Sequence, residues 1–437
     1  MMIALVSVGM MIVLSLLRVN VVLAILSAGI TAGLMAGLSP GDAMKMFLNG
    51  MGGQAETAMS YILLGIFAVM IGYSGITGVL VKILLRFLKG KRGFLIMTIA
   101  VVACLSQNAI PVHIAFIPIL IPPMLHVFND MKIDRRAVAS ALTFGLKAPY
   151  MLIPVGFGLQ FHQTIAEGVA SAGMNVPTDD IWKAMVIPVI GMVVGLLTAV
   201  FISYRKPREA NPSQRSTAAS PDLEDTPDPS FHWKHGCTII AVVGALFVQL
   251  VMEDGALIYG ALTGIILLFV FRVVPFRYGD ELAGDGIKMM GMIGFVMLTA
   301  SGFANVLEST GAVDELVEKA VALSGGAGLL TSAVMLFVGL VVTMGIGTSF
   351  GTIPILAALF VPFCLSVGYS PLATVALIGT AGAMGDAGSP ASDSTLGPSS
   401  GLNADGRHHH IWETCVPTFL HYNIPLFLFG IIAAAVL

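Results

Sequence analysis

GAMGDAGSPASDSTLGPSSG, residues 382–401, sets five Gly, five Ser, two Asp, two Pro and a Thr between an apolar run from Pro371 and a last apolar run to Leu437. The stretch is either a polar loop joining two membrane helices or backbone placed inside the membrane. The fold turns on which of the two it is.

The surrounding chain is oily. Its 437 residues are 56% hydrophobic and 11% charged, with a mean hydropathy of +0.91; a soluble domain carries about 25% charged residues. Apolar runs of about 16 to 25 residues recur, the length that crosses a hydrocarbon core. The composition therefore indicates an all-α polytopic membrane protein and excludes a β-barrel, whose short alternating segments are absent. The net charge of −3 carries little weight, since charge distribution and not its sum orients such a chain. Cys104, Cys237, Cys364 and Cys415 lie in apolar surroundings without CxxC spacing and read as small hydrophobes. The start, MMIALVSVGMMIVLSLL, lacks a basic leader and reads as a retained helix. No Walker motif is present, so the chain does not read as an ATPase or other enzyme.

Ten crossings are expected, over 2–17, 19–38, 57–81, 137–160, 183–204, 237–252, 255–274, 286–306, 371–398 and 412–437. Residues 40–56 read as a short interfacial or connecting helix. Segments 94–127 and 327–367 are too long for one helix and are broken in the middle. Lys82, Arg86, Lys89, Lys91 and Arg92 precede the first, and Lys132, Arg135 and Arg136 follow it, so both its flanks read as cytoplasmic. Acidic residues precede the second, and both its flanks read as outside. Each is expected to be a re-entrant hairpin. The Pro/Ser-rich stretch 205–235 reads as a flexible cytoplasmic linker, and both termini as outside.

That linker divides two similar halves, 1–204 and 236–437. IPIL occurs at 117–120 and at 353–356, an offset of 236. The same offset carries Ser106–His113 onto Val342–Ser349. With five crossings per half the second copy must be inverted, and inverted repeats with broken helices are a signature of secondary transporters. Non-helical backbone is tolerated at membrane depth only where protein or a water-filled cavity satisfies it.

Four breaks are expected to build the site. They are the hairpin tip with Ser106, Gln107, Asn108 and His113; LKAPYMLIPVGFG (146–158); the tip Gly345–Thr352 with Thr348, Ser349 and Thr352; and the opening stretch. Lys147 falls near the midplane, where an ionisable group is costly and usually functional. By the 236 offset it lies three residues from the counterpart of Asp386, so the two are candidate partners. Asp386 and Asp393, among the hydroxyls of Ser389, Ser392, Ser394 and Thr395, are oxygen ligands suited to Na⁺, or one Asp is a proton carrier. Asp393 reads equally as a helix cap or loop residue, while Asp386 to Thr395 reads as unwound backbone and the region near Gly401 as cytoplasmic loop. Asn423, with His421, Tyr422 and Pro425, interrupts the last crossing and is expected to line the cavity. His408, His409 and His410 could bind metal, sense pH or form a solvated turn.

At GDAGSPASDSTLGPSSGLNAD (385–405) and HIWETCVPTFLHYNIPL (410–426) the sequence resembles the NhaC-type sodium/proton antiporter family of the ion-transporter superfamily. Within it the likeness is to a bacterial branch described as Na⁺/H⁺ antiporters or as amino-acid (histidine) permeases. The resemblance implies a homodimer with a scaffold domain and a mobile transport domain that moves as an elevator. In dicarboxylate members, Ser-Asn-Thr tips bind sodium and substrate; here the tips read Ser106-Gln107-Asn108 and Gly347-Thr348-Ser349, so that substrate does not carry over. The expectation is a bacterial inner-membrane transporter for a small polar solute such as an amino acid, coupled to Na⁺ or H⁺. The alternative is a plain Na⁺/H⁺ exchanger. The expected partners are the bilayer, the solute and the coupling ion, with no other cofactor and no nucleic acid.

Overall fold

The computed structural model describes residues 2–76, 92–108, 117–155, 157–209, 232–252, 256–313, 315–316, 319 and 328–437. These residues are mostly helical, with no strand among them. The first half holds α1 (Met2–Leu16), α2 (Val21–Met35), α3 (Pro40–Gly50), α4 (Ala55–Tyr73), α5 (Arg92–Asn108), α6 (Ile117–Asp130), α7 (Arg135–Leu152), α8 (Phe157–Ser171) and α9 (Ile181–Thr198). Then come α10 (Trp233–Val251), α11 (Ala256–Val270), α12 (Gly279–Ser309), α13 (Leu329–Ile346), α14 (Ser349–Val367), α15 (Pro371–Ala383) and α16 (Asp393–Leu402). The last helix, α17 (His410–Val436), includes two π-helical turns, His410–Cys415 and Phe419–Asn423.

Short polar residues set where these helices begin. Ser39 and Ser370 cap α3 and α15 through side-chain oxygens that accept backbone N–H bonds, each followed by a Pro at the first helical position. Asp134 caps α7 by accepting from the Arg136 amide at 3.0 Å. The helix starts Arg135 and Pro371 are 236 apart, as are Phe157 and Asp393, and so are the helix ends Tyr73 and Ser309. That is the offset at which IPIL recurs.

Among the described residues, five helices are long and apolar enough to cross a membrane, or up to seven if two bent pairs each count as one span; several others are apolar but shorter. Large side chains such as Val13, Leu23, Phe247, Val270 and Val436 stand exposed on these helices. Exposure on that scale suits a hydrocarbon solvent and not water. At 31 residues, α12 is about 46 Å long at 1.5 Å per residue, longer than the expected 286–306 crossing. It packs along α4, α2 and α3. Buried α7 lies against α5 and α9. Gly195 brings α9 onto α17 so closely that a Cβ there would meet the His421 carbonyl oxygen at 1.8 Å.

Several boundaries differ from the sequence expectation. The break expected over 146–158 is narrower: α7 continues through Lys147 and Pro149 to Leu152, and a 53° bend separates it from α8. Lys147 therefore sits on helix and not on unwound backbone. The opening stretch unwinds only between α15 and α16, because Ser392 caps a new helix whose first residue is Asp393. Gly401 is likewise buried helix and not loop. In the second broken segment α13 and α14 meet at Gly347, which adopts φ +80°, and each arm is long enough to span on its own. His113, most of the linker and the basic run 82–91 lie outside the described residues, as do the side chains of Ser106, Gln107 and Asn108.

Candidate functional site

Backbone that leaves the helix inside a buried region must find hydrogen-bond partners, and the nine residues between α15 and α16 find theirs in neighbouring chains of hydroxyls and amides. Asn423, from the second π-helical turn of α17, clamps the stretch on both sides of Asp386. Its Oδ1 accepts from the Gly385 amide at 3.0 Å, and its Nδ2 donates to the Ala387 carbonyl at 3.1 Å. Gly385, at φ +78°, has the Leu340 carbonyl and the Met344 amide where a side chain would go. The sequence reading expected Asn423 to line a cavity; its amide is spent on holding the loop.

The loop delivers Asp386 to the middle of a closed cluster. Oδ2 accepts from Lys147 Nζ, from the Ser349 amide at 3.2 Å and from the Ser349 hydroxyl at 2.6 Å. Oδ1 accepts from the Ser392 hydroxyl and, at 3.4 Å, from the Ser394 hydroxyl. Lys147 also donates to the Tyr150 hydroxyl at 3.1 Å, which in turn lies 3.0 Å from Ser349 Oγ. Lys147 is 3% exposed and Asp386 2%, so neither charge can be screened by water. Such a pair holds only because each member neutralises the other and the remaining lone pairs are filled.

The other candidates form the wall of this cluster. Ser392 and Ser394 hydroxyls lie 2.9 Å apart, and Ser394 also donates to the Asp386 carbonyl. Thr395 donates to the Ser389 carbonyl at 2.5 Å, while Ser389 donates to the Met344 carbonyl at 3.4 Å. Thr143 ties α7 to α16 by donating to the Ser394 carbonyl at 2.9 Å. Asp393 is only part-buried, in the first turn of α16, where a carboxylate favours the helix dipole. Thr352 donates to the Thr348 carbonyl at 2.7 Å.

The structure thus brings Lys147, Ser349, Asp386, Ser392 and Ser394 together and leaves Asp393 and Thr352 at the margin. The sequence reading missed Tyr150, although the 236 offset pairs it with Asp386. The three consecutive histidines diverge. His408 Nε2 meets Thr414 Oγ1 at 2.7 Å, His409 caps α17, and His410 bridges Ser399 and the Pro390 carbonyl.

Next to this dry cluster is an open cleft of about 340 Å³ between α3, its following turn Met51–Gln54, α12 and the start of α14, with Asn49 and Glu308 exposed along it. Asn49, Gln54, Ser301, Asn305, Glu308 and Thr348 supply its polar lining. Two of them are anchored: Ser301 donates to the Gly50 carbonyl at 2.7 Å and Asn305 Nδ2 to the Met46 carbonyl at 2.8 Å. No sequence signal marked this group, because its members come from segments some 250 residues apart.

Residues 141–431 match the Na⁺/H⁺ antiporter family, and residues 3–88 match a second Na⁺-H⁺ antiporter family. The chain is 47% identical to YuiF, a candidate amino acid transporter of Bacillus subtilis, over 99% of both chains. It is 49% identical to an uncharacterized membrane protein of Vibrio parahaemolyticus, again over 99% of both. Among solved structures, the Alcanivorax borkumensis YdaH transporter is similar at 15% identity and a TM-score of 0.43, covering 90% of this chain and 88% of that one. Neisseria gonorrhoeae MtrF is similar at 16% identity and a TM-score of 0.38, covering 90% and 84%.

Proposed function

The chain belongs to the Na⁺/H⁺ antiporter family, and from that premise we propose that this multi-pass membrane transporter moves a small polar solute, an amino acid such as histidine, on a Na⁺ or H⁺ gradient. The observation that carries the reading is the buried Lys147–Asp386 pair, its carboxylate on the unwound stretch between α15 and α16. The name of the Bacillus subtilis relative supports the amino-acid cargo.

The chemistry follows from charge balance. A net charge in the dry interior is expensive, so the cluster must stay neutral as it changes partners. With Lys147 protonated and Asp386 ionised it is neutral. A Na⁺ that takes the Asp386 carboxylate, with the Ser349, Ser392 and Ser394 hydroxyls as further oxygen donors, displaces the ammonium. Neutrality then requires Lys147 to release its proton. One Na⁺ is thereby exchanged for one H⁺, and Tyr150 keeps the neutral amine in place.

The recurrence of helix boundaries at 236 supports two repeats, which we read as inverted. In this reading α13 to α16 form part of a mobile unit that carries the cluster across the membrane as an elevator, in a homodimer. Plain Na⁺/H⁺ exchange without organic cargo is the second reading, favoured by the family match itself.

Purified protein in proteoliposomes separates the two. The first reading expects histidine or another amino acid to accumulate under a sodium or proton gradient. Sodium-driven proton movement with no amino-acid uptake, across a full panel of amino acids, would overturn it in favour of the second.

A further inference from the structure

We propose that the cavity beside the ion pair is the solute site, that Glu308 takes the protonated amine of the cargo, and that Thr348 and Ser349 connect cargo to coupling ion. The inference rests on the solute-transport reading above and assigns its binding residues.

Among the described residues Glu308, an exposed side chain, is the one carboxylate lining this cleft, and no hydrogen bond or ion pair is made by its side chain. Asn49 and Gln54 line the same space, and their amides also make no side-chain hydrogen bond among the described residues. The lining therefore offers one negative charge together with unspent donors and acceptors. Its volume of about 340 Å³ accommodates a solute of about amino-acid size and lies at the low end of small-molecule sites. A compact cargo with a protonated amine meets Glu308, and the amides meet its remaining polar groups. A dianion would place its charge against Glu308 and is excluded. Na⁺ alone would leave most of the space unfilled.

The connection to the ion pair is a single peptide. Thr348 lines the cavity, while the amide and hydroxyl of Ser349, the next residue, both donate to Asp386. Gly347 is left-handed and Thr348 extended, so the helix begins only at Ser349. A solute that orders Thr348 fixes the Ser349 donors at the carboxylate. Conversely, a change of partner at Asp386 moves one wall of the cavity.

Three solutes test the site: histidine, histamine (amine without carboxylate) and imidazole propionate (carboxylate without amine). In wild-type proteoliposomes histidine and histamine are expected to compete for uptake, and imidazole propionate is not. Glu308→Gln is expected to raise the KM for histidine about tenfold or more, with partial recovery in Glu308→Asp. A separate readout uses Thr348→Cys in a chain carrying Cys104→Ser and Cys237→Ser, where histidine is expected to slow labelling by a hydrophilic thiol reagent. Wild-type uptake with an unchanged KM in a monodisperse Glu308→Gln protein, or labelling of Cys at 348 that histidine does not slow, overturns the site alone. Sodium–proton exchange with no solute uptake overturns the functional reading and this site with it.

Discussion

Tyr150 and Asp386 stand 236 positions apart, the spacing at which helix starts recur, and both hold the hydroxyl of Ser349, at 3.0 and 2.6 Å. Two positions related by the 236-residue offset thus converge on one side chain. Lys147, one turn before Tyr150, completes the ring by donating to both.

Removing one charge from this ring should be worse than removing both. Asp386→Asn leaves the Lys147 ammonium buried without its counter-ion, a change that costs about 3–5 kcal/mol in comparable pairs. The double variant Lys147→Met/Asp386→Asn should recover most of that loss in thermal unfolding of the detergent-solubilised protein, and still show no sodium-coupled transport. A double variant no more stable than Asp386→Asn would refute the charge-balance account.

Ser349→Ala removes one of the charge-assisted hydrogen bonds to Asp386 while the backbone amide at 349 remains. Hydrogen bonds to charged groups contribute about 1.5–3 kcal/mol. The expected result is a sodium activation curve shifted by about tenfold or more to higher concentration, measured as transport rate against external Na⁺. An unshifted curve would place Ser349 outside the coupling step.

Gly195→Ala tests the packing of α9 on the π-helical turn that carries Asn423. Its Cβ would fall 1.8 Å from the His421 carbonyl oxygen, a backbone atom that cannot swing aside. Overpacking of a tight core costs about 1–3 kcal/mol, sometimes more. The variant should lose expression yield and melt several degrees lower, whereas Gly72→Ala, with open space at its Cβ, should behave as the parent.

Acid should loosen the turn that joins α16 to α17. His408 is buried, and that burial, reinforced by the Arg135 guanidinium, by His410 and His409 and by Arg208, holds its imidazole well below the ordinary value of 6.5. Glu413, 3.7 Å away and itself paired with Arg208, does not offset this. Above about pH 6.5 the side chain is neutral in both folded and unfolded chains and stability does not depend on it. Below that, the unfolded chain takes up a proton that the folded one refuses, so stability falls until the folded pKa is reached, by at most about 1.4 kcal/mol per pH unit. Melting temperature from pH 7 to 5 should fall less steeply in His408→Gln, and equal slopes would exclude His408 as the cause.

The ion pair was legible before any coordinates, through a spacing rule: IPIL at 117 and 353 places Lys147 within three residues of the counterpart of Asp386. The helix boundaries around it were less so. Pro149 reads as a breaker, yet α7 runs three residues past it to Leu152, and the chain bends only there, by 53°. Ser392–Asp393 reads as ligand chemistry, and the same two residues also serve as cap and first turn of a helix. The cavity could not be read at all. Asn49 and Gln54 meet Asn305 and Glu308 only because α3 and α4 pack along α12, and no local pattern encodes that meeting.

The one-residue step from Thr348 to Ser349 also bears on how such a protein can change over evolutionary time. The residues that would choose a cargo, at 49, 54, 305 and 308, are separate from those that hold the charge pair, at 147, 386, 392 and 394. Mutations in the first set can alter what is carried without rebuilding the second, because the two sets communicate through main chain that most side-chain changes leave intact. Members of one family can thus diverge in diet while keeping a common engine.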